Sequence, residues 1–421
     1  MMQCCSLAVL FLAFASLQGT PEASLARLTK DVDQQLAKEQ LPPLYAWHLR
    51  SLKALAMSEY AKFELGVPIN RTPLEDRKKE FVQFVDIYST ALETDGVNPD
   101  LYLKEGRRSL ILVRPSNIDG SLQYAMVSLP QGWDSAKEYP LVVSLHGTGP
   151  ANPLAYPSYA LGPIGPASTG PMSQMIHLTP WGRGNSSWRN DNERDLWEAI
   201  SQLKTFAKLD RDHWYIAGHS SGADGTWAIV QHTPDLWAAF GLESGSMLEG
   251  PPERGLIKNM IYVPGHFLIG ENDTLPNRIP DTKAASEIWQ KAGTPTKLLI
   301  LKGIGHYPLA PEGYKSEEDF LVQFSRKRPN KFEFTIDDPR HPGVWGIDVV
   351  LSPLQRRFIA QPWPHFTCEV KGQEVRITTD HIDKITVITG SNGLGMTGNV
   401  TVVVNGKTIY EGPASEDKKS S

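Results

Sequence analysis

The sequence predicts an α/β protein, an eight-stranded and mostly parallel sheet with a helical N-terminal prefix and a C-terminal all-β module. Three observations carry this reading. Between Ser109 and about Phe324, short β-rich runs alternate with helical segments. Ahead of that stretch the pattern is helical and polar, and beyond it the chain is strand-rich to about Gly412.

Residues 1–19 read as a signal peptide. The apolar run Leu7–Leu17 is too short to span a bilayer, and Ala13-Phe14-Ala15 supplies a small-x-small cleavage site. No Lys or Arg precedes the run, so a buried N-terminal helix is the competing reading. The expectation is a secreted or periplasmic protein with no membrane attachment in its mature form. Cys4 and Cys5 fall in the leader, which leaves Cys368 alone and no internal disulfide.

Residues 20–105 form the helical prefix, punctuated by Pro42-Pro43 and Pro73 into two or three helices. Leu44, Trp47, Leu52, Leu55 and Met57 lie near one stripe, the expected buried face. Its function is not legible. Residues 106–328 hold the sheet. Strands are expected at Leu110–Val113, Gln123–Ser128, Leu141–Leu145, Met175–Leu178, Trp214–Ala217, Phe240–Glu243, Tyr262–Ile269 and Lys297–Leu301. Crossover helices such as Glu193–Ala207, Gly225–His232 and Lys283–Ala292 imply parallel pairing with both faces covered. The first two strands have no helix between them and suit an antiparallel entry to the sheet.

The basic stretch FSRKRPNK reads as a solvated linker. Residues 329–413 then form a β-sandwich-like module, with Asn405-Gly406 as a strong hairpin signal. The tail, 414–421, is expected to be disordered. A formal net charge of -5 gives no electrostatic reason to expect nucleic acid or an anionic membrane as partner.

The chemistry centres on HWYIAGHSSGADGTW, where a β-rich run enters Gly218-His219-Ser220-Ser221-Gly222 and then a helical stretch. A G-x-S-x-G pentapeptide has meaning in that strand–turn–helix setting, because the tight turn lifts a serine hydroxyl above the sheet edge. Such a hydroxyl needs a base, and the base an orienting acid. HFLIGENDTLPN puts Asp273 in a loop just past a strand, with Glu271 as rival and Asp281 as a distant third. KLLILKG then leads to His306, which follows a strand on the correct side of the acid. The other histidines have plainer accounts: His177 inside a strand, His213 before one, His232 ending a helix, His341 and His365 in the β module. His219 is expected to point away from Ser220. Donors for a tetrahedral oxyanion are expected from the N–H of Ser221 and, after the third strand, of Gly147 or Thr148.

These stretches, together with Trp181-Gly182-Arg183-Gly184, HTPDLWAAF and GIGHYP, resemble the α/β-hydrolase superfamily. More narrowly they are similar to secreted esterases related to polyhydroxybutyrate depolymerases and feruloyl esterases, and to the catalytic domain of prolyl-oligopeptidase-like enzymes. The resemblance covers about half of the chain, residues 109–325. It implies a serine hydrolase with a Ser220–His306–Asp273 triad, acting on a small-molecule or polymer-derived ester. A peptidase is the alternative, and a non-catalytic scaffold binding glycans through Trp345 or Trp363 is a third reading. Asp224 departs from the small residues usual after the elbow. No metal or organic cofactor is expected. Tyr156, Trp181, Trp188 and Tyr307 are candidates for an aromatic substrate pocket, with core packing as the other account of the tryptophans and of Tyr307. Arg183 is expected to pair with Asp191, Glu193 or Asp195, or else to bind a substrate carboxylate.

Overall fold

The computed structural model describes residues 19–38, 41–66, 73–95, 109–130, 132–148, 170–184, 188–246, 256–307, 311–359 and 361–420. Residues 1–18 of the expected leader and Tyr156 lie outside them. Among the described residues three helices come first, α1 (Pro21–Leu36), α2 (Pro43–Glu64) and α3 (Leu74–Asp95). Thr20 caps α1, its Oγ1 accepting from Ala23 N, and a proline stands at the first position of both α1 and α2, where no intrahelical donor is lost. The buried face of α2 runs through Tyr45, Leu49, Leu52, Ala56 and Phe63. Trp47 and Met57 are exposed, which corrects the expected stripe: they sit to one side of the i, i+4, i+7 line that meets the core.

Eight strands follow: β1 (Ser109–Pro115), β2 (Leu122–Ser128), β3 (Glu138–Leu145), β4 (Ile176–Pro180), β5 (Lys208–His219), β6 (Ala239–Glu243), β7 (Gly265–Gly270) and β8 (Thr296–Leu301). Between and after them lie α4 (Asp191–Leu203), α5 (Ser221–His232), the single turn α6 (Ile257–Met260), α7 (Arg278–Ala292) and α8 (Pro311–Leu321). The sheet order is β1-β2-β4-β3-β5-β6-β7-β8, with β2 antiparallel to both neighbours and every pair from β4 to β8 parallel. This is the α/β-hydrolase sheet implied by the resemblance. β5 begins earlier than expected, so His213 lies within it. β7 begins later, because Tyr262 belongs to the turn after α6. Successive strands step away in opposite directions from β3, and that reversal puts the topological switch point of the sheet at the carboxyl ends of β3 and β5.

The prefix shares one apolar core with the sheet, in which Leu49, Leu52, Phe81 and Phe84 meet Leu110, Ile111 and Tyr124. It also covers the sheet's free edge. His48 Nδ1 accepts from Ile111 N at 2.9 Å, Ser51 Oγ accepts from Val113 N at 2.9 Å, and Trp47 Nε1 donates to Val113 O at 3.1 Å. Side chains of α2 thus occupy backbone groups that a bare β1 would offer to another strand.

The C-terminal module closes two sheets over a second core that includes Phe334, Phe366, Val375 and Val402. One sheet is ordered β16-β15-β13-β12-β9 and the other β10-β11-β14-β17. Their strands are β9 (Lys331–Thr335), β10 (Gly343–Val344), β11 (Ile347–Val349), β12 (His365–Lys371), β13 (Glu374–Asp380), β14 (Ile385–Val387), β15 (Asn399–Val404), β16 (Lys407–Pro413) and β17 (Lys419–Ser420). Asn405 and Gly406 both take positive φ in the β15–β16 turn. The tail corrects the expectation of disorder, because β17 pairs with β14 and Glu416 accepts from the N–H groups of Ser391 and Asn392. The linker is likewise strapped down rather than free in solvent. Arg326 pairs with Asp212 at 3.0 Å and lies over the Trp345 ring, while Arg328 donates to Leu394 O at 2.7 Å. Among the described residues no helix is long and apolar enough to cross a membrane.

Candidate active site

β5 runs into α5 through one strained residue. Ser220 has φ 56° and ψ −119°, a conformation that a side-chain-bearing residue adopts only when its surroundings impose it. Its N–H is held by Glu243 O at 2.8 Å. A Cβ on Gly222 would lie 2.0 Å from Leu145 O, so only glycine lets α5 start this close to β3. The same closeness brings the loop after β3 to the elbow, where a Cβ on Gly147 would lie 3.2 Å from that of Ser220.

Three loops then converge. His306 Nε2 stands 2.9 Å from Ser220 Oγ, and His306 Nδ1 stands 2.8 Å from Asp273 Oδ2. The Asp273 side chain is fully buried, and its other oxygen accepts from Leu275 N at 3.0 Å. A buried acceptor at Nδ1 places the imidazole proton there and leaves the Nε2 lone pair facing the serine hydroxyl. Glu271, the rival acid, is exposed and accepts from Gly303 N instead. Asp281 lies half-buried in the first turn of α7.

Ser221 opens α5, where the first N–H groups have no intrahelical acceptor. Thr148 Oγ1 donates to Ser221 Oγ at 3.2 Å, so Gly147 and Thr148 face the same side of the elbow as that helix start. The geometry can present two backbone donors beside a serine hydroxyl and an imidazole, which is the layout acyl transfer requires.

Several neighbours differ from expectation. His219 does not turn away: its Nε2 donates to His306 O at 2.9 Å and its ring packs on Tyr307. Burial pushes its pKa down to about 4, so it is a neutral prop under the histidine loop. Trp188 is wholly buried and Trp181 nearly so, which removes both from any substrate pocket. They instead lock His146: Trp188 Nε1 donates to His146 O at 3.1 Å, and His146 Nε2 to Trp181 O at 3.0 Å. Tyr307 is the exposed aromatic beside His306. Arg183 pairs with Asp119 at 2.8 Å and Ser116, not with the acids of α4. Arg183 has a positive φ, and the buried Asp195 is taken by Arg114 and by Gly182 N. In the module Trp345 is buried as well.

Sequence reasoning missed Arg278, the first residue of α7. Its guanidinium grips Asp224 at 2.7 and 3.0 Å and also donates to Ser244 O at 2.8 Å and Ser220 O at 3.3 Å. One side chain therefore links the elbow, the loop after β6 and the segment that follows Asp273. Asp224, unexplained from sequence, is the other half of this bracket and also accepts from Ser246 N at 2.8 Å. The signal was present only as an unusual acid after the elbow. Also missed was a buried carboxyl pair behind the elbow, Glu243 with Glu317 of α8. Burial pushes the Glu243 pKa up to about 7 and that of Glu317 well above the usual range, so the pair holds a proton at neutral pH.

No family model matches the chain. An uncharacterized secreted protein of Arthroderma benhamiae is 28% identical over 275 residues, covering 54% of this chain and 29% of its own length. The chain thus spans less than a third of that curated relative. Among solved structures, a thermostable esterase is similar over 52% of this chain and 64% of its own, with a TM-score of 0.46 and 20% identity. A poly(3-hydroxybutyrate) depolymerase from Bordetella parapertussis is similar over 47% of this chain and 83% of its own, with a TM-score of 0.36 and 17% identity.

Proposed function

We propose that the chain is a secreted serine hydrolase that cleaves carboxylic esters through an acyl-enzyme on Ser220. The reading is carried by the unbroken hydrogen-bonded series Asp273–His306–Ser220 at a strained elbow. In the first half-reaction Ser220 Oγ bonds to the ester carbonyl carbon while its proton passes to His306 Nε2. The N–H of Ser221 and that of Gly147 or Thr148 receive the oxyanion, and Asp273 steadies the imidazolium. Collapse breaks the carbon–oxygen bond to the alcohol, which leaves with the proton from His306. Water then repeats the sequence on the acyl-enzyme, releasing the acid and restoring Ser220. The cycle draws on these groups and water, without a cofactor. Tyr307, beside His306, is the proposed contact to the substrate.

The ester reading is favoured over a peptidase by the position of the prefix. Its described residues pack on β1, four places from β5 in the sheet, and not over the elbow as a gate would. Secretion is supported by the leader-like pattern of residues 1–19 and by the similarity to a secreted protein of Arthroderma benhamiae. Any glycan contact by the C-terminal module falls to Trp363, since Trp345 is buried.

Turnover of short p-nitrophenyl esters, beside dipeptide anilides, by wild type and Ser220→Ala tests the reading. Ester hydrolysis should fall by at least about 10³-fold in the variant. Ester turnover unchanged by the substitution would overturn the assignment, and dominant anilide cleavage would move the chain to the peptidases.

A further inference from the structure

A second cluster of chemically active side chains lies where the hydrolase domain meets the C-terminal module. Glu193 comes from the first turn of α4, His232 from the end of α5, and Asp337, Asp338, Arg340 and His341 from the segment after β9. Glu193 is 1% exposed at its side chain and bridges both imidazoles. One of its oxygens is 3.1 Å from His232 Nδ1 and the other 2.8 Å from His341 Nε2. The two rings lie nearly parallel with centroids 4.8 Å apart. One ligand atom from each of Glu193, His232, Asp338 and His341 falls within 4.8 Å of all the others.

Two features of this cluster call for a cation. First, His232 faces carboxylates with both ring nitrogens, Glu193 at Nδ1 and Asp337 Oδ1 at 3.5 Å from Nε2. A neutral imidazole has one N–H, so one of those nitrogens must carry either an added proton or a metal. Second, three carboxylates gather here against one guanidinium, Arg340, which chelates Asp338 and stands 3.6 Å from Glu193. With both imidazoles neutral the cluster is short of two positive charges, the charge of one divalent ion.

We propose that Glu193, His232, His341 and Asp338 bind one divalent transition-metal ion of the zinc class, tying the module to the hydrolase domain. The donor set of two imidazole nitrogens and two carboxylates suits such an ion in four-coordinate geometry. Nδ1 of His232 is the ligand atom, and Asp337 receives the Nε2 proton, the carboxylate-behind-histidine arrangement that orients a metal ligand. Binding releases the extra proton that His232 otherwise shares between its two carboxylates. The stacked rings splay to admit the ion, and Asp338, already held by Arg340, is the weakest of the four ligands. Because α4, α5 and the module each contribute, the site exists only when the two parts are docked.

The test uses the full chain, stripped with a chelator and titrated near pH 7.5 with Zn²⁺ by calorimetry and with Co²⁺ by visible absorption. One ion per chain is expected, with the intense visible bands of four-coordinate cobalt and no matching uptake of Mg²⁺ or Ca²⁺. His232→Gln and His341→Gln should each abolish uptake while circular dichroism and gel filtration stay as in wild type. Asp337→Asn should keep the stoichiometry and weaken binding about 10–100-fold. Failure of folded wild type to take up either ion in a saturable way would overturn the proposal and leave a proton-held clasp. Uptake equal to wild type in both histidine variants would overturn it too. Should the histidine variants misfold, the cobalt spectrum of the wild type decides, since octahedral oxygen ligation gives only weak bands.

Discussion

The two loops that meet at Ser220 are held in opposite ways. On the side of Gly147 and Thr148, the proposed oxyanion donors, the His146 ring lies between Trp181, stacked at 5.5 Å, and Trp188, edge-on at 5.0 Å, with two hydrogen bonds closing the lock. On the acid side, the Arg278–Asp224 bracket does the holding, with side chains only 11% and 8% exposed. Aromatic packing degrades in proportion to the atoms removed, because each contact is small and non-directional. A desolvated ion pair is all-or-none, since loss of one member strands the other's charge. The acid side of this site should therefore be brittle and the oxyanion side forgiving.

The sharpest break of that contrast is Asp224→Ala, which leaves the Arg278 guanidinium without its carboxylate. It should cost about 3–5 kcal/mol of stability in urea unfolding. Ester kcat should fall on the order of 10²-fold with little change in KM, because Ser220 O and the Asp273 segment depend on the same guanidinium. Arg278→Lys keeps the charge and loses the fork, so it should land between wild type and Asp224→Ala. A kcat within twofold of wild type for Asp224→Ala would reduce the bracket to a structural pair.

The same side of the elbow carries a second electrostatic device, the protonated Glu243–Glu317 pair. It faces His266 of β7, whose Nδ1 is 3.8 Å from Glu317 and which burial keeps neutral with its pKa pushed down to about 3. Glu243 has a raised folded pKa, so its contribution is complete below the unfolded value near 4.5. It is lost as pH rises through about 7. Glu243→Gln mimics the protonated carboxyl at every pH. By pH 9 the variant should be more stable against wild type than it is at pH 4.5, read as diverging urea midpoints. Parallel midpoints across that range would mean the pair does not hold its proton.

What was legible in the sequence divides along the same line. All eight strands, the elbow and the order Ser220, Asp273, His306 follow from local patterns, since periodicity and turn chemistry act over a few residues. The hairpin at Asn405-Gly406 was visible for the same reason. The bracket was not, because Asp224 and Arg278 are separated by 54 positions and no local rule pairs them. Arg183 was given the nearest acids in the chain, but at its positive φ it pairs with Asp119. Trp181 and Trp188 looked like pocket rings because aromatic residues near an active loop serve either role, and only burial distinguishes them. The tail was misjudged on composition, which does not register that Lys419 and Ser420 find an open edge at β14. The His232 cluster escaped notice because its members come from both halves of the molecule.

The mildest test lies on the oxyanion side. Trp188→Phe keeps a ring in the buried slot while removing the indole donor to His146 O and part of the ring's volume. That carbonyl, left without its partner, should cost about 2 kcal/mol, a loss of a different kind from stranding a charge. The adjacent Gly147 and Thr148 should shift slightly, lowering kcat several-fold at unchanged KM, since on the proposed mechanism their donors act on the transition state more than on bound ester. The variant's urea midpoint should run parallel to that of wild type across pH, because no titrating group is touched, and this separates it from Glu243→Gln. A loss of activity as deep as that of Asp224→Ala would show that the aromatic lock is as brittle as the ionic one, and the contrast between the two loops would fail.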